Sequence, residues 1–126
     1  MVKSKLMEKR HNYKKLQIWK LGIEIADQVY ALLEKLPRSE THGLKLQMSR
    51  ASTSIPSNIA EGSSRSNKSF SHFLDISLGS SYELETQLII SERRKYFKAI
   101  DCIALNQKID ELQKMLRGFK SNLSSV

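Results

Sequence analysis

The sequence predicts an all-α protein, an up-down-up-down antiparallel four-helix bundle. Three observations predict it. Apolar residues recur at alternating spacings of 3 and 4 along four successive segments, the repeat of a helix seam. Two prolines and five glycines in 126 residues are too few for the turns that an all-β chain needs. The links between the segments are short, and short links set neighbouring helices antiparallel. A chain of 126 residues and 14.5 kDa fits one domain. Residues 1–12 show no apolar period and are expected to form a flexible basic arm, with the bundle over 13–126.

The first segment covers about 14–35. Leu16, Trp19, Ile23, Ala26, Tyr30 and Leu33 follow the seam spacing, and a second stripe, Ile18, Ile25, Val29, Leu32 and Leu36, runs beside it. Two stripes give a face wider than one helix pair needs, so this helix is either central in its own bundle or touches another subunit. Pro37 ends it, because the residue before a proline is pushed out of the helical region. The second segment, about 41–64, places Leu44, Met48, Ala51, Ile55, Ile59 and Gly62 on its seam. A polar stripe of Gln47, Arg50, Ser54, Asn58, Glu61 and Arg65 runs alongside. Pro56 lies inside and is expected to bend the helix without ending it, since the period continues through it.

The third segment, about 67–94, is capped by Ser66 and carries Phe70, Leu74, Ser77, Ser81, Leu84, Leu88 and Ser91 on its seam. Its centre, Ser77-Leu78-Gly79-Ser80-Ser81, is small. A helical glycine costs roughly 1 kcal/mol against alanine, so Gly79, with Ser80, is expected to face a closely packed helix. The fourth segment, about 100–120, repeats Leu105, Ile109, Leu112, Leu116 and Phe119, with fraying expected from Ser121 to Val126.

The net charge of +8 is unevenly placed. Residues 1–20 hold seven cations against the single acid Glu8, a net +6, while residues 21–126 carry only +2. Lys3, Lys5, Lys9, Arg10, Lys14 and Lys15 therefore form a basic element on a nearly neutral body. Such an element either attracts polyanions, nucleic acid above all, or serves as a solvated tail. A second cluster, Arg93, Arg94, Lys95 and Lys98, is interleaved with Tyr96 and Phe97 at the turn between the third and fourth segments. Cations beside aromatic rings can neutralise phosphates and stack bases. Equally, the cations can complement a helix C-terminus and the rings can plug the bundle end.

No run of apolar residues approaches the roughly 20 that span a bilayer. The arm has too few apolar anchors to lie in a membrane interface. No secretory signal is present, and the single Cys102 excludes an internal disulfide, so a cytoplasmic location is expected. No phosphate-binding glycine loop and no paired metal-ligand motif occurs, and His11, His42 and His72 fall on different elements. No cofactor, no metal and no catalytic residue is expected. Cys102 is read as a small core residue. Glu61 and Arg50 are the candidates for a special role, but a lone carboxylate without a second acid, a metal or a nucleophile is a poor catalyst. They are read as parts of an ionic network between helices or subunits.

In the second segment the residues become recognisable. Residues 47–62, QMSRASTSIPSNIAEG, with Trp19, the run from Leu36 to Glu40, and Gly79 to Leu88, resemble the four-helix bundle family of 23S rRNA intervening-sequence proteins. The resemblance implies a homopentameric ring encoded within intervening sequences of bacterial large-subunit rRNA genes. It marks Trp19, Pro37, Gln47, Arg50, Asn58, Glu61, Gly62, Gly79 and Ser80 as signature positions of fold and assembly. It also implies kinship with accessory proteins of diversity-generating retroelements, which bind nucleic acid and a reverse transcriptase. Two positions depart from the pattern. Ser49 stands before Arg50 where the family usually has a second arginine, and Lys95 stands where many members have glycine. The expected function is a non-enzymatic homo-oligomer that binds RNA or another nucleic acid through the two basic clusters. The alternative is an adaptor that docks a protein partner such as a reverse transcriptase.

Overall fold

The computed structural model describes residues 11–124. Asn12 opens the described chain by capping a single 3-10 turn, Tyr13–Lys15, its side chain accepting from Lys14 N at 3.2 Å. Leu16 then takes an extended conformation, so α1 (Gln17–Leu33) starts three residues later than the periodicity implies. A second 3-10 turn, Arg38–Glu40, follows Pro37 and leads into α2 (Leu44–Ser63). The α3 helix (Asn67–Arg93) is capped by Ser66, whose hydroxyl accepts from Ser69 N at 3.3 Å. The α4 helix (Ala99–Ser124) runs four residues beyond its expected end, because Leu123 continues the seam after Phe119 and is buried.

Among the described residues each helix packs on its two neighbours, α1 on α2, α2 on α3, α3 on α4 and α4 on α1. No strand occurs among them. The fold is an all-α four-helix bundle. Its seams on α2, α3 and α4 are those read from the sequence, with Met48, Ile55, Ile59, Phe70, Leu84, Leu88, Ile109 and Leu112 fully enclosed.

On α1 the core face takes most of the second stripe together with Leu33 of the first. Ile18, Leu21, Ile25, Val29 and Leu32 enter the core, whereas Ile23 and Tyr30 are 36% and 49% exposed. Spacing alone could not separate two stripes of equal period. Gly79 is also corrected. A Cβ built there meets nothing within 4 Å, because Ser77, Ser81 and Leu84 turn the opposite face of α3 to the core. Its neighbour Ser80 is buried and bonds Ser54 Oγ at 2.8 Å.

The tight approaches fall elsewhere. At Gly62 a Cβ would lie 2.7 Å from both Phe70 Cδ1 and Phe73 Cβ, so α2 meets α3 there almost backbone to ring. At Gly22 a Cβ would lie 3.4 Å from Pro56 Cβ, which seats α1 against the middle of α2. Pro56 leaves α2 continuous, as expected. Next to it, Ser77 donates its hydroxyl to the Ile55 carbonyl at 2.8 Å, tying α3 to α2 through a buried polar contact.

Candidate functional site

Lys14 and Lys15, the described part of the first basic cluster, lie at the opposite end of the bundle from the turn cluster. His11 N donates to Ser63 O at 3.3 Å, and its ring packs against Phe70 and Phe119 at 5.3 and 5.5 Å. The chain thus joins the bundle where α2 and α4 end. His11, read from sequence as an arm residue, packs here, and the exposed Asn12 caps the turn that follows. Lys14 and Lys15 are exposed at the same end. Lys3, Lys5, Lys9 and Arg10 lie outside the described residues. The cluster Arg93–Lys98 sits at the other end, and the 27 residues of α3 put the two about 40 Å apart at 1.5 Å per residue. Among the described residues, Lys14 and Lys15 therefore do not join the turn cluster into a single patch.

The turn cluster divides into engaged and free groups. Phe97 is buried and plugs the bundle end. Tyr96 is half-buried and donates its hydroxyl to Glu40 Oε2 at 3.0 Å, while the Arg94 guanidinium lies 5.8 Å from its ring centre. Neither ring is open for a base to stack on, so the packing alternative holds for both aromatics. Glu40 also accepts from Leu44 N at 3.1 Å and so caps α2. That backbone bond, then the Tyr96 hydroxyl, then the Arg94 charge hold the Glu40 carboxyl below the usual carboxylate range. On α4, Asp101 accepts from Lys98 N at 3.2 Å and pairs with Lys35 at 3.0 Å. The Lys35 bond, ahead of the Lys98 amide, lowers its pKa.

Arg93, Lys95 and Lys98 project from this end, exposed. Two of them stand where their own chain disfavours them. Lys95 has φ 63°, with Lys95 N bonded to Glu92 O and Tyr96 N to Ser91 O, both at 2.9 Å. This is a Schellman stop, whose left-handed residue is normally glycine. Lys98 stands immediately before α4, at the positive end of the helix dipole, where a cation is unfavourable.

Arg50 and Glu61, singled out by the sequence, have different surroundings. Glu61, near the end of α2, pairs with the exposed Arg65 at 3.0 Å, four residues later and just past the helix end. Arg65 also lies 5.2 Å from the Phe73 ring centre. This is a local ionic contact between α2 and the residues that follow it, not one between helices. Asn58 is turned inward on its own helix, donating to Ser54 O and Oγ at 2.8 and 2.9 Å. Trp19 packs on the core and against Tyr13 at 5.3 Å.

Arg50 lines a groove between α2 and α3, with a volume of ≈ 380 Å³, together with Gln47, Ala51, Ser54, Ser80, Glu83 and Gln87. Gln87 is the residue sequence reasoning missed. It is 8% exposed, and its Oε1 is, among the described residues, the buried side-chain polar atom without a hydrogen-bond partner. Its position beside the seam residue Leu88 was the signal available. Cys102 is fully enclosed, and burial pushes its thiol up to about 11. That is the setting of an inert core residue. Among the described residues, no group of three potential metal ligands comes together and no helix is long and apolar enough to cross a membrane.

The fold and these surfaces define a helical-bundle protein with a packed core, a basic turn at one end and a polar groove between α2 and α3. The model of the 23S rRNA-intervening sequence protein family matches residues 14–118, and the chain belongs to that family. Among solved structures, the chain is similar to a protein of unknown function from the S23 ribosomal protein family of Bacteroides thetaiotaomicron VPI-5482. That crystal structure, at 1.70 Å, shares 25% identity and superposes with a TM-score of 0.74 over 82% of this chain and 97% of that one. No curated protein matches the chain.

Proposed function

We propose that this protein is a non-enzymatic homo-oligomer that binds RNA or another nucleic acid through its basic ends. The observation that supports this most is the placing of Lys95 and Lys98. A left-handed lysine costs stability, and backbone strain of this kind collects at functional positions. Phosphate contacts would offset that cost. The excess of cations over residues 1–20 supplies a second group of phosphate contacts. In an oligomer each end is repeated, so weak contacts gain by avidity. The groups are cations without an open stacking ring or a groove-reading element, so binding is to backbone phosphate and largely independent of sequence.

The direct test is recovery of nucleic acid from the purified protein. The reading expects bound RNA or DNA of mixed sequence, released by high salt. Protein free of nucleic acid that binds neither RNA nor DNA at low salt would refute it. The basic ends would then serve a protein partner, as in an adaptor.

A further inference from the structure

The turn cations account for phosphates but leave a neighbouring feature without a use. Ile100, 71% exposed, is the barest large apolar side chain among the described residues, and Ile103 and Ile89 are 50% and 51% exposed. Ile100 and Ile103 are three apart in α4, so they are neighbours on its surface. Cross-links fix the register of α4 against α3: Arg117 bonds the Tyr82 hydroxyl, Gln113 bonds Ser81, and Glu92 lies against the Cys102 thiol. That register sets Ile103 opposite Arg93. Ile89 falls on the same outer side, one turn further from the end. The isoleucines thus lie on the flank of the bundle end that carries the exposed Arg93, Lys95 and Lys98. Acids close to them are engaged, Asp101 with Lys35 and the Lys98 amide, Glu92 with Cys102.

Apolar side chains rimmed by cations suit a ligand that is itself anionic on one side and apolar on the other. A nucleic-acid duplex does not present that pair of surfaces, because its base faces cover one another and only phosphates and groove edges face outward. Unpaired bases offer their flat faces beside their phosphates. An anionic lipid surface has both chemistries, but in the wrong order for this shape. Ile103 lies about 7.5 Å behind Lys98 along α4, and Ile89 about 6 Å behind Arg93 along α3. A flat membrane reaching the isoleucines would have to bury the cations first. A strand bending over the edge of the bundle end meets both.

We infer that this flank is a platform for unpaired bases, with Ile89, Ile100 and Ile103 under the bases and Arg93, Lys95 and Lys98 on the phosphates, so that the ligand is single-stranded nucleic acid. The inference rests on the nucleic-acid reading and names the form of its ligand. Aliphatic side chains accept the face of any base, so the platform adds affinity without sequence preference. They also touch no sugar hydroxyl, so RNA and DNA strands serve equally.

The test is fluorescence anisotropy on the full chain with single strands of RNA and DNA, a duplex of the same length and an abasic DNA strand, at one salt concentration. Both single strands should bind alike and more tightly than the abasic strand. Ile100→Ser/Ile103→Ser changes two exposed positions, and circular dichroism checks that it folds. It should weaken single strands about tenfold through lost apolar contact, while duplex and abasic affinities stay as they are. A double variant that binds single strands like wild type, or an effect confined to one sugar, would overturn the platform and leave the nucleic-acid reading intact. Wild-type protein that binds no strand at low salt would overturn that reading itself. Cosedimentation with phosphatidylserine vesicles is the second arm. Wild type should stay in solution, and vesicle binding that Ile100→Ser/Ile103→Ser abolishes would overturn the platform by giving the face to a membrane.

Discussion

Replacing Gly62 with alanine adds one methyl group at the closest approach in the bundle. That carbon would lie 2.7 Å from Phe70 Cδ1 and from Phe73 Cβ, against the 3.5–4.0 Å of an ordinary carbon contact. Neither neighbour yields easily. Phe70 is fully buried and held by the His11 and Phe119 rings, and Phe73 Cβ is fixed to the α3 backbone. The helices must part by about 1 Å. Overpacking of this kind costs about 1–3 kcal/mol or more, and alanine returns about 1 kcal/mol of helix propensity. The net loss should be about 1 kcal/mol. For a chain of this length that is a fall of about 4 °C in Tm. Gly118, in α4, is the control: a Cβ there meets nothing within 4 Å, so Gly118→Ala should raise Tm by about 4 °C. The assay is thermal unfolding by circular dichroism at one fixed protomer concentration, because assembly makes Tm concentration-dependent. A Gly62→Ala protein as stable as Gly118→Ala would refute the close α2–α3 approach.

Other outcomes follow from the same contacts. Lys95→Gly should raise stability by about 1 kcal/mol, since glycine takes the left-handed conformation freely, while weakening RNA binding; denaturant titration and filter binding read the two effects. Glu40 and Asp101 have lowered pKa values when folded, so their contribution is complete above the ordinary carboxylate range and is lost as pH falls through the folded values. Urea midpoints should therefore drop between neutral and acid pH, and the drop should be smaller in Glu40→Gln and in Asp101→Asn. Cys102, with its thiol raised to about 11, should resist alkylation at pH 8 until denaturant is added; rapid labelling of the native protein would show that the core opens there.

The core was legible in the sequence wherever one stripe stood alone. On α2, α3 and α4 the seam residues had no rival stripe, and they are the residues enclosed. On α1 two stripes shared one period, and choosing between them needed the positions of the other helices. Gly79 misled for a related reason. A helical glycine signals either close packing or an empty surface, and only the direction of its missing Cβ decides. Gly62, the glycine that is packed, was visible on the α2 seam. The turn cluster was legible as charge, but its division was not. Tyr96 is occupied by Glu40, a residue 56 positions earlier, and no local pattern foretells that bond. Gln87 escaped notice because an unsatisfied carbonyl is a property of packing, not of residue type.

The central claim, that the basic ends bind nucleic acid, is tested most directly by the salt dependence of RNA affinity. Each phosphate neutralised on a single strand contributes about 0.7 to the fall of log affinity with log salt. The full chain should show a steep slope. Removing residues 1–10, which spares the packed His11, should reduce slope and affinity together, and Lys95→Gly with Lys98→Ser should reduce them again. An affinity that ignores salt, or a slope unchanged by both sets of substitutions, would contradict the account.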